Sequence, residues 1–209
     1  MKKNKLKLAA FTGFLVIFSF VVLNGCAKRE IKNINSKGKN VICFGDSITF
    51  GYGVDSGEDY PTSLRKILSN TVVINAGVDG DTSVEGLNRI NTDVLKKNPR
   101  LVLIEFTGND FLKKVPMTNT IKNIRKMIEE IQRQGAMTAI VDVSAGLFLL
   151  EYRVRLFNLA RQTNSIFIPE VLGGILTNPS MKSDFMHPNK NGYGIVAQRA
   201  YSGIKDYLK

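Results

Sequence analysis

The chain has 209 residues, 44% of them hydrophobic and 22% charged, enough for one full core and no more. Its net charge of +11 is uneven: residues 1–39 carry nine Lys/Arg against the single acid Glu30, so residues 40–209 hold only +3. The basic excess belongs to the N-terminal segment, which argues against a nucleic-acid-binding surface, and two cysteines with one histidine exclude a structural zinc site or a disulfide framework.

Lys2, Lys3, Lys5 and Lys7 form a positive n-region ahead of an apolar run over residues 8–23. As a helix this run would reach roughly 24 Å, short of the ~30 Å hydrocarbon core, so it reads as a signal-peptide h-region rather than a permanent span. It ends in Leu23-Asn24-Gly25-Cys26, which resembles a bacterial lipobox, with Asn24 standing where a small or β-branched residue is usual. That resemblance implies cleavage before Cys26 and lipid on its sulfur; the competing reading is an uncleaved signal anchor. A lipidated Cys26 leaves Cys43 without a disulfide partner, as a core residue. Residues 27–39, polar and rich in Lys and Asn, are expected to be a flexible tether. The expected organisation is signal peptide 1–25, lipidated Cys and tether 26–39, and one catalytic domain 40–209, lipid-anchored on the extracytoplasmic face of the cell membrane.

Beyond the tether, five apolar runs predict strands at 41–44, 71–75, 101–106, 138–143 and 165–168, near-continuously apolar as parallel strands covered on both faces are. Helical spacing separates them. Thr82 and Glu85 form a capping box before Leu87, Ile90 and Val94. Ile121, Ile124, Ile128 and Ile131 mark a helix closed by Gly135. After His187-Pro188, with Pro suited to the first helical position, Tyr193, Val196, Ala197, Ala200 and Ile204 share a face. The alternation predicts a three-layer α/β/α sandwich around a flavodoxin-like, five-stranded parallel sheet. In such sheets ligands bind at the carboxyl ends of the strands.

Four motifs fall at that edge: Gly45-Asp46-Ser47, Gly77-Val78-Asp79-Gly80-Asp81-Thr82, Thr107-Gly108-Asn109-Asp110 and Asp184-Phe185-Met186-His187-Pro188. In this order they resemble the SGNH (GDSL-like) hydrolase family over essentially all of residues 40–209, with greatest likeness to its lysophospholipase and thioesterase-type branch. The resemblance implies the SGNH hydrolase fold, with Ser47 as nucleophile, Asp184 and His187 completing a triad, and Ser47, Gly80 and Asn109 as oxyanion-hole donors. It implies no cofactor or metal.

The residue chemistry agrees. A serine hydroxyl needs a base to take its proton, and His187 is the chain's single histidine. Backbone N–H groups and a side-chain amide suit a developing oxyanion, although Gly80 also reads as a turn residue and Asn109 as an Asx turn. Asp46 and Asp110 are expected to bond loop backbone. The expected activity is serine-dependent hydrolysis of carboxylic esters or thioesters, including lysophospholipid or short-chain acyl esters, by a monomer acting on small substrates. The alternatives are an O-acetylesterase acting on cell-wall or other polysaccharides and, more distantly, a non-catalytic surface binding lipoprotein. Phe148, Leu149 and Leu150, and likewise Phe111 and Leu112, would either line an acyl pocket or pack as helix starts.

Overall fold

The computed structural model describes residues 30–147 and 149–208. The n-region, the apolar run, Cys26 and Phe148 lie outside the described residues. No helix among the described residues is long and apolar enough to cross a membrane.

Strands β1 (Asn40–Gly45), β2 (Val73–Gly77), β3 (Pro99–Glu105), β4 (Met137–Val141) and β5 (Ile166–Ile168) form one sheet in the order β2-β1-β3-β4-β5. Every pairing is parallel. The helices are α1 (Ser47–Phe50), α2 (Tyr60–Ile67), α3 (Ser83–Asp93), α4 (Gly108–Leu112), α5 (Met117–Arg133), α6 (Leu150–Gln162) and α7 (Lys190–Ile204).

Period-two alternation along the strands feeds two separate cores. Val41, Cys43, Leu101, Leu103 and Ala139 face α2 and α7, meeting Tyr60, Leu64, Tyr193, Val196 and Ala200. Ile42, Phe44, Val102, Ile104 and Ile140 face the other way, onto Ile90 of α3, Ile124 and Ile128 of α5, and Leu156 of α6. Each fully buried aliphatic side chain stabilises by about 1.5–3 kcal/mol relative to leaving it exposed. Burial pushes the Cys43 thiol up to about 12, so it sits in this core as a neutral apolar group.

The predicted caps form. The Thr82 side chain accepts from the Val84 N–H, and Glu85 accepts from the Thr82 N–H at 2.9 Å. At the end of α5, Gly135 takes φ +84° while the Gly135 and Ala136 N–H groups bond the Gln132 and Ile131 carbonyls. Two local expectations shift. Asn189 caps α7, its side chain accepting from the Asn191 and Gly192 N–H groups, so Pro188 precedes the cap instead of taking the first helical position. β4 stops at Val141 because Asp142 turns its carboxylate onto the N–H groups of Ser144 and Glu170.

The domain boundary also moves. The stretch expected as a loose tether joins the folded unit at Ile31 rather than residue 40. Ile31 is buried, the Lys32 N–H donates to the Asn164 carbonyl at 2.9 Å, and Asn33 Nδ2 donates to the Gln132 and Ala136 carbonyls at 2.8 and 2.9 Å. One apolar residue and a few side chains that bond backbone dock a segment whose composition is otherwise that of a linker. These contacts lie at the amino ends of β4 and β5, the edge opposite Ser47.

Candidate active site

Ser47 opens α1 directly after β1. Asp46 caps that helix, its carboxylate accepting from the Ile48 N–H at 3.1 Å. The sharp strand-to-helix turn presents Ser47 Oγ at the sheet's carboxyl edge. Ser47 Oγ lies 3.0 Å from His187 Nε2, and His187 Nδ1 lies 2.8 and 3.0 Å from the two Asp184 oxygens. With the ring proton on Nδ1 donated to Asp184, Nε2 is free to accept from the serine hydroxyl. The three residues named from sequence are therefore in hydrogen-bonded series across 140 positions of chain.

Asp184 also shapes the loop that carries the histidine. Its Oδ1 accepts from the Met186 and His187 N–H groups at 2.7 and 2.8 Å. Partial burial raises its pKa, but these bonds and the His187 ring outweigh it and hold the carboxyl below its usual value. The loop closes on itself through the Lys182–Pro188 bridge and the Ser183 N–H to His187 carbonyl bond at 3.0 Å.

Asn109 stands at the start of α4. Its Nδ2 donates to the Asp81 carbonyl at 3.1 Å, which fixes the amide against the turn containing Gly80. Gly80 takes φ +80° in that turn; the adjoining cavity is lined by Asp79 from this turn rather than by Gly80 itself. Asp110 does more than bond loop backbone. It accepts from the Ser83 N–H, the Ser83 hydroxyl and the Thr120 hydroxyl, each at 2.6 Å, joining α3, α4 and α5 behind the site.

A cavity of about 690 Å³ opens beside Ser47, His187 and Asn109. Away from those residues Val143, Leu149, Leu172 and Leu176 form an apolar wall, with Leu112 and Phe185 at the rim, while Asp79 and Thr177 add polar groups. Leu149 and Leu112 thus line the cavity, whereas Leu150 and Phe111 do not. Among the described residues, no group of three or more His, Cys, Asp or Glu is placed to hold a metal ion.

Sequence reading missed three contributors. Tyr52 lays its ring against His187, centroids 4.5 Å apart, and its carbonyl accepts from the Tyr193 hydroxyl at 3.0 Å. Gly53 beside it has φ +84°, and a Cβ there would come within 2.1 Å of Ser183 Oγ, so glycine lets this turn approach the histidine loop. Arg89 reaches from α3 to the Gly45 carbonyl at 2.9 Å, the Ala76 carbonyl at 2.8 Å and Asp81 at 2.6 Å, tying two strand ends to the Gly80 turn. Glu105, at the end of β3, is completely buried under the turn that carries Ser47. Its signal was visible, an acid inside an otherwise apolar strand, whereas Arg89 and Tyr52 look like ordinary helix and loop residues.

The sequence model of the GDSL-like Lipase/Acylhydrolase family matches residues 43–195. The chain is 27% identical over 200 residues to Esterase TesA of Pseudomonas aeruginosa, covering 90% of this chain and 98% of that protein. It is 27% identical over 164 residues to Thioesterase 1/protease 1/lysophospholipase L1 of Escherichia coli, covering 75% and 79% of the two. An uncharacterized lipoprotein of Bacillus subtilis, YqeF, is 29% identical over 136 residues, 58% of this chain and 53% of that one. A solved structure of TesA superposes with a TM-score of 0.76 at 24% identity, covering 81% of this chain and 99% of that chain, and so shares the fold.

Proposed function

The chain belongs to the GDSL-like lipase/acylhydrolase family and is an ester hydrolase, and from that premise we propose that Ser47 is its nucleophile, His187 its general base and Asp184 the residue that orients His187. The observation that carries this reading is the Ser47 Oγ–His187 Nε2 distance of 3.0 Å with Asp184 on the far ring nitrogen. Ser47 Oγ attacks the ester carbonyl carbon as its proton passes to Nε2. The Ser47 N–H and the Asn109 amide stabilise the oxyanion, while Gly80 shapes the turn against which that amide is bonded. The imidazolium, steadied by Asp184, protonates the departing alcohol or thiol and leaves the acyl group on Ser47. Water, deprotonated by His187, then releases the acid.

The cavity favours acyl esters over O-acetyl sugars. Its volume matches pockets that take ligands much larger than an acetyl group, and Val143, Leu149, Leu172 and Leu176 offer no hydrogen bonds for a sugar. The protein acts on these substrates as a monomer. The p-nitrophenyl acetate, butyrate, octanoate and palmitate series, run beside acetylated xylan and peptidoglycan fragments, tests the substrate class. kcat/KM should rise beyond the acetate. Turnover confined to acetyl sugars overturns the acyl reading and leaves the triad standing.

Residues 1–26 serve export and lipid attachment in this reading, supported by the n-region, the short apolar run, the lipobox-like tetrad and the likeness to a lipoprotein. The catalytic unit starts at Ile31, so a lipid on Cys26 would attach five residues before it in sequence. Labelled palmitate should enter the wild type and not Cys26→Ala, and the wild type should leave membranes in detergent but not in high salt. Retention of residues 1–25 in unlabelled protein replaces the lipoprotein with a signal anchor.

A further inference from the structure

Glu105 stands opposite Gly45 in the β1–β3 register, directly beneath the turn that presents Ser47. A carboxyl that is 0% exposed at the end of a central strand is costly unless its surroundings use it. Its Oε2 accepts from the Asp46 N–H at 3.3 Å and from the Thr49 hydroxyl at 3.0 Å, so it holds both flanks of Ser47. Oε1 has no hydrogen-bond partner among the described protein atoms. Asp46, itself buried, accepts from the Ile48 N–H of the nucleophile turn and from the Asn109 N–H, and its carboxyl meets that of Glu105. Neither acid forms an ion pair with Lys or Arg among the described residues.

Two adjacent buried carboxyls with no cation cannot both stay ionised, so the pair retains a proton. Burial raises both groups, Asp46 to about 6 and Glu105 well above its usual value because the Asp46 charge adds to the effect.

We propose that Glu105 is a positioning residue of the ester hydrolysis: a buried acid that accepts from the Asp46 N–H and the Thr49 hydroxyl on either side of Ser47 and, with its carboxyl against that of Asp46, holds Asp46 between the Ser47 turn and the Asn109 loop. The spacing it fixes is the one between Ser47 Oγ and the Asn109 amide. This rests on the roles proposed for Ser47 and Asn109, which phosphonate labelling of Ser47 tests separately.

Glu105→Met keeps the volume and removes both hydrogen-bonding functions. Glu105→Gln keeps an acceptor for the Asp46 N–H and Thr49 and a donor for the Asp46 carboxylate. Steady-state kinetics on a soluble ester, with circular dichroism and thermal melting as fold controls, should give about a 10–100-fold lower kcat in Glu105→Met with KM nearly unchanged, the cost expected of a small misplacement of reacting groups. Glu105→Gln should recover most of that loss. In a double-mutant cycle with Asn109→Ala, the two losses should combine to less than their product, since both remove the same placement. A folded Glu105→Met enzyme with wild-type kcat overturns the proposal, and so does a Glu105→Gln enzyme as impaired as Glu105→Met. Should Glu105→Met not fold, Asp46→Asn takes its place: it must lose more kcat than Glu105→Gln, and the reverse order overturns the proposal.

Discussion

The nucleophile and the base are held by opposite kinds of structure. Ser47 is 8% exposed and sits on a turn fixed from below by Asp46 and Glu105, while Arg89 holds the adjacent strand ends. His187 rides on an outer loop whose Asp184 side chain is 43% exposed and whose neighbour Phe185 is 85% exposed. That loop owes its shape to bonds within itself and to the Tyr52 ring. The nucleophile is thus positioned by long-range buried contacts, and the base by local ones. Local bonds spanning a few residues form at little entropic cost but are open to solvent, whereas the buried network depends on the whole sheet being assembled.

The sharpest break in the comparison comes from removing the reacting groups themselves. Ser47→Ala and His187→Ala should each lower kcat by on the order of 10⁴–10⁶, because triad members act as a unit. Ser47→Ala should shift the melting temperature little, since among the described residues the Ser47 hydroxyl bonds only His187. A serine-directed phosphonate should label Ser47 in the wild type and nothing in Ser47→Ala.

Asp184 separates geometry from charge on the exposed side. Asp184→Asn keeps an oxygen for the Met186 and His187 N–H groups but no longer stabilises an imidazolium, so kcat should fall by about 10²–10⁴ with the loop intact. Asp184→Ala should be at least as slow and should also speed amide hydrogen exchange at Met186 and His187. Equal exchange rates in both variants would mean that Asp184 does not shape its loop. On the oxyanion side, Asn109→Ala should lower kcat by about 10²–10³ at nearly constant KM. A lowered melting temperature with kcat preserved would instead make the Asn109–Asp81 bond purely structural.

Much of this was legible from residue types. Apolar runs located all five strands to within two or three residues, because a strand buried on both faces can be little else. Ser47 and Asn109 follow strand ends and Asp184 and His187 stand in the loop before α7, and the structure brings all four to the same cavity at the sheet's carboxyl edge. Arg89 and Tyr52 act through contacts between elements far apart in sequence, which no local pattern reports, whereas Glu105 left a local sign as an acid in an apolar strand, though not of what it contacts. Residues 31–39 illustrate the reverse failure: their composition reads as linker, yet Ile31 and Asn33 find complementary ground on α5 and the amino ends of the strands.

The mildest test compares how the two sides titrate. Asp184 lies below its usual pKa, so its contribution to stability is present above the unfolded value near 3.8 and is lost as pH falls through the folded one. The pair behind Ser47 has the opposite sign. Asp46 is raised from 3.8 to about 6 and Glu105 well above 4.5, so above those unfolded values the native state holds protons that the unfolded chain has released. Stability from the pair is therefore full below about pH 4. It declines as pH rises, through about 6 for Asp46 and further for Glu105. Of the other groups around the pair, Tyr60, Tyr193 and the neighbouring Cys43 are raised too and remain protonated across this range, the His187 charge acts on Asp46 in the lowering direction, and Thr49 does not titrate. Glu105→Gln removes one of the two acids without removing its hydrogen bonds. Melting curves from pH 5 to pH 8 should show the variant gaining on the wild type as pH rises, by about 2–4 °C for each kcal/mol of lost linkage in a domain of this size. Parallel curves would mean that Glu105 ionises alike in the folded and unfolded chains, and the buried proton beneath Ser47 would have to be abandoned.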